Sequence, residues 1–127
     1  MRQIKYILID DSGRKNREHH YSINSIGFVK EATDISKAVE VHDRLVDPDG
    51  YNASSIVIRL CFRFQDSGSM KLETWNLKQH EALKGLLVEL RSHFPEAMIF
   101  GIREIGDYFI KVSDEMNQLR VELSDMP

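Results

Sequence analysis

The stretch GYNASSIVIRLCF, residues 50–62, contains the clearest strand pattern of the chain. From 54 to 64 a continuous apolar run passes into an alternation in which Arg59, Cys61 and Arg63 separate the large apolar residues. This pattern predicts a central strand whose far end has one solvent-facing side. The turn residues Asp47, Pro48, Asp49 and Gly50 stand directly before it.

Further strands are predicted on both sides of this stretch. Residues 4–10, IKYILID, have the β-branched and aromatic character of a central strand, which ends in Asp10 and Asp11. Residues 97–101, AMIFG, form another buried run. The polar segment 11–25 has no period and is interpreted as a loop. Two short strands are expected at 26–31 and 37–42, around a turn at Thr33-Asp34.

Two helices complete the predicted fold. Asn76 is the N-cap candidate of the first, and Gln79 stands three residues later, at the spacing of a capping box. An apolar stripe follows up to Phe94, and Pro95 ends the helix. A final helix, capped by Ser113, has one apolar face formed by Val112, Met116, Leu119 and Leu123. The order of elements predicts an α/β (α+β) fold with a central mixed sheet flanked by helices.

Composition limits the organisation and the function of the chain. With 127 residues and 42% apolar content, residues 1–127 suffice for one domain with one core. A net charge of -3 disfavours a general nucleic-acid binder. The lone cysteine, Cys61, allows no intramolecular disulfide and is expected to be a buried structural thiol. Neither a signal peptide nor an apolar membrane span is recognised, so a cytoplasmic location without membrane contact is expected.

Three stretches in order carry a resemblance to a known family. They are IKYILIDDSG at 4–13, GYNASSIVIRLCF at 50–62 and LKQHEALKGLLVELRSHFPEAMIFGIREIG at 77–106. Together they resemble the zinc-dependent N-acetylmuramoyl-L-alanine amidases, whose fold is shared by phage amidase-type lysozymes and peptidoglycan recognition proteins. The family's motifs GYN-x-x-SI and G-H-R-E correspond to residues 50–56 and 101–104. The resemblance covers somewhat over half of the chain and implies an amidase-like fold.

The family's zinc chemistry does not carry over residue by residue. In the family, two histidines and a cysteine or aspartate hold zinc, and a zinc-bound water attacks the amide of the muramoyl peptide. Here Asp10 and Ile102 occupy the two histidine positions, and Ile110 or Lys111 the third. Phe28 stands at the position of the family's tyrosine. The resemblance therefore implies a degenerate member, in which no catalytic residue is assigned and neither a metal ligand set nor bound zinc is expected.

Four residues remain as candidate binding residues. His42 matches a histidine beside the family's cleft, although it is also interpretable as a surface residue at a strand end. Tyr51 and Asn52 are shared with the family, and their alternative role is a turn that positions the central strand. Arg103 is a further candidate.

Several other polar residues have their own expected roles. Arg59 is hypothesised to form an internal ion pair with Glu104 or Asp10. Asp10 is a weak candidate for a general acid or base, because such a group needs a positioned partner. The remaining histidines are expected in solvated positions: His19 and His20 in a polar loop, and His80 and His93 on the long helix. Trp75 is interpreted as a core residue.

Three functions are compatible with these observations. The first is a catalytically inactive amidase-fold protein that binds a peptidoglycan fragment or a protein partner. The second is an active amidase with substituted ligands, namely Asp10, His42 and an aspartate among residues 107–114. The third is an unrelated regulatory or structural module. Fold alone does not decide between these functions, and the pattern of charges identifies neither the ligand nor the oligomeric state.

Overall fold

The computed structural model describes residues 2–11, 18–41, 50–61, 75–105 and 114–125. Among these residues it contains five strands, two long helices, a one-turn helix and a short 3-10 turn. In chain order they are β1 (Tyr6–Asp10), β2 (Tyr21–Ile23), β3 (Val29–Glu31), α1 (Tyr51–Ser54), β4 (Ser55–Leu60), α2 (Leu77–His93), β5 (Met98–Gly101), the 3-10 turn (Ile102–Glu104) and α3 (Asp114–Ser124).

The five strands form one mixed sheet in the order β3-β2-β4-β1-β5. Four strands run parallel, since β4 pairs in parallel with both β1 and β2, and β5 pairs in parallel with β1. Only β3 is antiparallel to its neighbour, β2. The carboxyl ends of β1, β2, β4 and β5 therefore lie at one edge of the sheet, which we call the carboxyl edge.

The first face of the sheet packs against α2 and α3. Alternate residues of β1 and β4 point to this face, among them Ile7, Ile9, Ile56 and Ile58, which are fully buried. The helices contribute one apolar side each, formed by Leu83, Leu87 and Leu90 of α2 and by Met116, Leu119 and Leu123 of α3. Three of the four residues predicted for the apolar face of the final helix are thereby confirmed, while Val112 and the proposed cap, Ser113, lie outside the described residues.

The second face carries a smaller apolar cluster. Leu8 and Val57, which are paired in register, are buried here beneath Val39, Val41, Ile102 and Ile105. Tyr6, Tyr51 and Phe100 pack at the border of this cluster. Because both faces are covered, β1 and the first part of β4 have nearly continuous apolar sequences, as predicted for central strands.

The start of α2 agrees with the sequence-based expectation. The Gln79 N–H donates to Asn76 Oδ1 at 2.9 Å, and the Asn76 N–H donates to Gln79 Oε1 at 3.1 Å. These two bonds form the predicted capping box. The helix ends at His93, two residues before Pro95, so its predicted limits are also confirmed.

The first half of the chain differs from the prediction. Residues 21–23, expected in a loop, form β2, and the hairpin turn lies between β2 and β3 rather than at Thr33-Asp34. Asn24 Oδ1 closes this turn by accepting from the backbone N–H groups of Ile26 and Phe28. No strand forms at 37–41 in the described part of the chain. A three-residue strand is too short for its alternation to be recognised, and its pairing with β4 stabilises it.

The residues before β4 also differ in detail from the prediction. Tyr51 and Asn52 begin the one-turn helix α1, where a simple turn was the alternative to a binding role. Gly50 precedes it with φ 70°, a left-handed conformation that a side chain would disfavour. Among the described helices, none combines the length and the apolar character required to cross a bilayer.

Candidate functional site

The carboxyl edge of the sheet brings together polar and apolar side chains from three parallel strands. Asp10, the last residue of β1, is paired in register with Arg59 of β4, and Arg59 is paired with Ser22 of β2. Paired residues of parallel strands share a face, so these three side chains point to the face that carries Leu8 and Val57. Ligands of open parallel sheets bind outside the carboxyl ends of the strands, which makes this edge the candidate site.

Ile102 lies at the same edge, on the other side of Asp10. Gly101 is paired with Ile9, so the next residue, Ile102, follows β5 at the level of Asp10. Asp10 is 1% exposed and Ile102 is 6% exposed. The carboxylate therefore lies in a largely desolvated position beside an apolar side chain that offers no hydrogen bond.

Glu104 and Arg120 hold the turn that carries Ile102. Glu104 Oε1 accepts the backbone N–H of Gly101 at 2.7 Å, which closes the 3-10 turn. Arg120 of α3 donates two hydrogen bonds to the same carboxylate, at 2.6 and 2.9 Å. This bidentate pair ties α3 to the end of β5 and sets the position of Ile102.

This geometry corrects the hypothesis of an ion pair between Arg59 and Glu104. Glu104 is bound by Arg120 instead, because α3 delivers the guanidinium to the end of β5. Arg59 is half-buried, and within the described part of the chain no carboxylate forms a salt bridge with it, Asp10 included. The sequence could not show this preference, since Arg59 and Arg120 are equally plausible partners until the position of α3 is known.

The described residues do not fit a zinc ion of the amidase type. A protein zinc site uses three or four N, S or O ligands in a tetrahedral arrangement. Asp10 supplies oxygen donors, but Ile102 supplies none, and the third candidates Ile110 and Lys111 lie outside the described residues. Within the described ranges, no group of three His, Cys, Asp or Glu side chains is placed to hold a metal ion.

Tyr51 and Asn52 lie at the opposite edge of the sheet from Asp10. The Tyr51 ring packs on Tyr6, the first residue of β1, with 4.7 Å between the ring centroids. Asn52 Oδ1 accepts the backbone N–H of Val41 at 2.6 Å. Since β1 separates Tyr6 from Asp10 by about 13 Å, the structure does not bring these two residues together with the carboxyl edge.

The other predicted site residues are dispersed or not described. Phe28 is 62% exposed and directly precedes β3, three strands and roughly 14 Å away from β1. His42 and Ile110 lie outside the described residues, and the structure does not describe the side chain of Arg103. The candidate binding roles of His42, Tyr51, Asn52 and Arg103 stay predictions.

His20 is a buried residue that was expected in a polar loop. Its ring is fully buried, and Nδ1 accepts the backbone N–H of Val57 at 2.9 Å. Nε2 lies 2.7 Å from the Lys37 carbonyl oxygen, to which it donates, and 3.0 Å from the Arg2 guanidinium. Burial lowers the pKa of His20, and the adjacent positive charge of Arg2 acts in the same direction. The alternation of His20 and Ser22 with Tyr21 and Ile23 was the available sequence signal.

His80 is also not solvated as expected. Its Nδ1 accepts the indole N–H of Trp75 at 3.1 Å, and Nε2 bonds to the carboxylate of Glu122 on α3. The bond from His80 lowers the pKa of Glu122. Trp75 is 6% exposed, which confirms its predicted core position. These residues border a groove of about 490 Å³ between α2 and α3, whose other lining residues include Asn76, Leu77, Asp114, Glu115 and Gln118.

Comparison with known proteins identifies the fold. One similar structure is the N-acetylmuramoyl-L-alanine amidase LysC from Clostridium intestinale URNW, with TM-score 0.69, 11% identity and coverage of 96% of this chain and 87% of that chain. Another is the Ph2119 endolysin from Thermus scotoductus MAT2119 bacteriophage Ph2119, with TM-score 0.64, 14% identity and coverage of 95% of this chain and 85% of that chain.

A third neighbour was determined with its substrate bound. It is the N-acetylmuramyl-L-alanine amidase AmiD from E. coli, in complex with anhydro-N-acetylmuramic acid-L-Ala-D-gamma-Glu-L-Lys. Its TM-score is 0.62 at 16% identity, with coverage of 94% of this chain and 57% of that chain.

No protein-family model matches the sequence, and no curated protein matches it. The chain has the mixed-sheet fold of the N-acetylmuramoyl-L-alanine amidases. An unrelated module was expected to differ in topology, and the observed topology agrees with the amidase fold instead.

Proposed function

We propose that the protein is a non-catalytic amidase-fold protein that binds a peptidoglycan fragment at the carboxyl edge of its sheet. The observation that carries the proposal is the buried Ile102 beside Asp10, where the resemblance places the two zinc histidines. An isoleucine can neither bind a metal nor transfer a proton. It also lowers the local polarity around any charge placed next to it.

The chemistry of amide hydrolysis supports this assignment. A stable amide needs an activated water and a group that stabilises the oxyanion, and amidases of the resembled family obtain both from zinc. At the described positions, Ile102 adds neither a metal ligand nor an acid–base group beside Asp10. General acid–base catalysis needs such a group within reach of the reacting atoms.

The choice of ligand rests on the structural neighbours. The AmiD structure contains a muramoyl tripeptide, and AmpDH3 from Pseudomonas aeruginosa was determined with anhydromuramic pentapeptide. A scaffold that keeps the fold of these proteins, and whose described residues form no metal-ligand set, is suited to hold the same class of molecule intact. We therefore propose anhydromuramoyl peptides as the ligand class.

The test combines metal analysis, binding and cleavage. Protein purified without a His tag is offered zinc, freed of excess metal and submitted to elemental analysis. Calorimetry then measures the affinity for anhydro-N-acetylmuramic acid-L-Ala-D-gamma-Glu-L-Lys, and chromatography measures its cleavage during long incubation. We expect well under one zinc per chain, saturable binding and no free peptide.

Two results would contradict the proposal in different ways. Near-stoichiometric zinc with release of the peptide would establish an active amidase with substituted ligands, for which Asp10→Asn and His42→Gln are the first variants to test. Absence of any muropeptide binding would leave the amidase scaffold without this ligand and would favour a protein partner. The Ile102→Ala variant is the control for the shape of the site, since it changes volume without adding a donor.

A further inference from the structure

Arg59 carries a positive charge at the carboxyl edge and forms no salt bridge with a described carboxylate. Its side chain points to the face of Leu8 and Val57, because Ile58 and Leu60 point to the helix-covered face. It lies between Ser22 and Asp10 in the row of paired residues. The carboxylate of Glu104, which was a candidate partner of Arg59, is bound by Arg120 through two hydrogen bonds.

Arg59 is half-buried and forms no salt bridge with a described carboxylate. An arginine side chain that is partly withdrawn from water is normally compensated by a carboxylate or phosphate partner. Arginine also presents a planar fork of N–H donors that matches a carboxylate in a bidentate manner. The structure therefore retains, at the ligand-binding edge of the sheet, a donor group whose natural partner is an anion.

Asp10 does not remove this capacity. Its carboxyl group is 1% exposed, whereas Arg59 is half-buried. Of the two residues, Arg59 therefore offers the larger accessible surface to a molecule that approaches from solvent. The difference in exposure gives the edge a cationic contact even though the two residues are neighbours in the sheet.

We propose that Arg59 is an anion-binding residue that holds a carboxylate of the bound ligand. The identity of that carboxylate rests on the proposed function: a γ-linked D-glutamate in a muramoyl peptide keeps its α-carboxylate free, and Arg59 binds this group. This contact between Arg59 and the ligand carboxylate involves no metal and no covalent step. It also gives the degenerate site a specificity, for free over amidated stem peptides.

The first experiment tests the anion site without a muropeptide. The Nε–Hε signal of Arg59 in ¹⁵N–¹H spectra is assigned by its loss in Arg59→Lys, and glutarate is titrated at constant ionic strength against a chloride control. We expect a saturable shift of this signal that Arg91 and Arg120 do not share. A shift that is linear in glutarate, or equal for all arginines, would overturn the proposal.

The second experiment tests the ligand group. Affinities are measured for anhydro-N-acetylmuramic acid-L-Ala-D-gamma-Glu-L-Lys and for its counterpart in which the glutamate α-carboxylate is amidated. We expect the free acid to bind about tenfold more tightly than the amide, and this difference to vanish in Arg59→Gln. Lys30→Gln, which removes an exposed positive charge from β3, should leave the difference unchanged.

The outcomes separate this inference from the proposed function. Equal affinity for acid and amide in the wild-type protein would overturn the role of Arg59 while leaving muropeptide binding intact. If neither muropeptide binds while Arg59 still responds to glutarate, the proposed ligand is wrong and the anion site stands. Arg59→Lys distinguishes charge from geometry, because lysine keeps the charge and loses the bidentate fork.

Discussion

Asp10 and Ile102 lie side by side at the carboxyl edge, and the two side chains differ in what they can offer a ligand. One is a buried carboxylate and the other is an apolar side chain without a donor or acceptor. At such a position, a single substitution can replace a metal ligand by a residue that only packs. At the residue scale, the function of this fold therefore depends on a few positions that contribute little to the sheet itself.

His20 predicts a pH dependence of stability. Its neutral ring accepts the Val57 N–H, and burial lowers its pKa below the ordinary value of about 6.5. At a pH between the folded-state and the unfolded-state pKa of His20, the unfolded state binds more protons. The contribution of His20 to stability is therefore fully present above about pH 6.5 and falls as the pH is lowered. Urea unfolding at about pH 7.5 and about pH 5.5 should show this loss.

The matched variants for this prediction are His20→Gln and His93→Gln. Glutamine cannot become charged, so His20→Gln should flatten the acid-side loss, even if its stability near neutrality is lower. His93 is exposed on α2, and its replacement should leave the pH dependence unchanged. Equal pH profiles of wild type and His20→Gln would show that another group causes the loss.

Elements are positioned in this fold by polar contacts at their ends. The Asn76–Gln79 capping box begins α2, and the Asn76 side-chain amide also donates to the Ser25 carbonyl at 2.8 Å. The tip of the β2–β3 hairpin thus rests on the first turn of α2. A Cβ on Gly27 would lie 2.9 Å from the Lys78 carbonyl oxygen, which explains the glycine at this close approach.

Removal of the α2 cap should be measurable. Asn76→Ala deletes the acceptor for the Gln79 N–H and the donor to Ser25. We expect a loss of about 1 kcal/mol in the free energy of unfolding, as is typical of N-cap removal. Chemical denaturation measures it, and Lys78→Ala, an exposed change in the same turn, should stay within about 0.5 kcal/mol of wild type.

The Glu104–Arg120 pair makes a second prediction at the scale of elements. Arg120→Met leaves the Glu104 carboxylate largely buried, with only the Gly101 N–H as a described donor to it. We expect destabilisation by about 2 kcal/mol, since one partner of a mostly buried pair is lost. A double-mutant cycle with Glu104→Gln measures the coupling, and a coupling near zero would contradict the structural role of the pair.

At the scale of the whole molecule, two apolar layers hold the sheet. The helix-covered layer is the larger one, and Leu119 within it is fully buried. The opposite layer is smaller and reaches the carboxyl edge through Ile102 and Ile105. Stability is thus supplied by apolar burial on both faces, and the carboxyl edge is the place where apolar and charged side chains meet.

This distribution predicts the response to metal and to core truncation. Neither EDTA nor added zinc should change the melting temperature, because the described core needs no metal to pack. Leu119→Ala should lower the free energy of unfolding by about 3 kcal/mol through the cavity it leaves. Differential scanning calorimetry tests both expectations, and a clear upward shift with zinc would indicate a metal site.

The sequence predicted the central strands, both long helices, the capping box and the amidase-like fold. Each of these rests on information that is local in the chain: apolar period, cap spacing and motif order. It missed β2, whose three residues are stabilised by pairing with β4. It also missed the contacts of His20 and His80, since their partners, Val57 and Glu122, are distant in the chain and are brought to them only by folding.

By itself, the sequence determined that Asp10 and Ile102 stand where the resembled family has zinc ligands, because residue identity and motif register are properties of the chain. Only the tertiary structure decided that Glu104 pairs with Arg120 and that Arg59 is left with its cationic group at the carboxyl edge. The physical reason is distance: an ion pair forms between groups that packing brings within a few ångströms, and the packing of α3 on the sheet determines which groups those are.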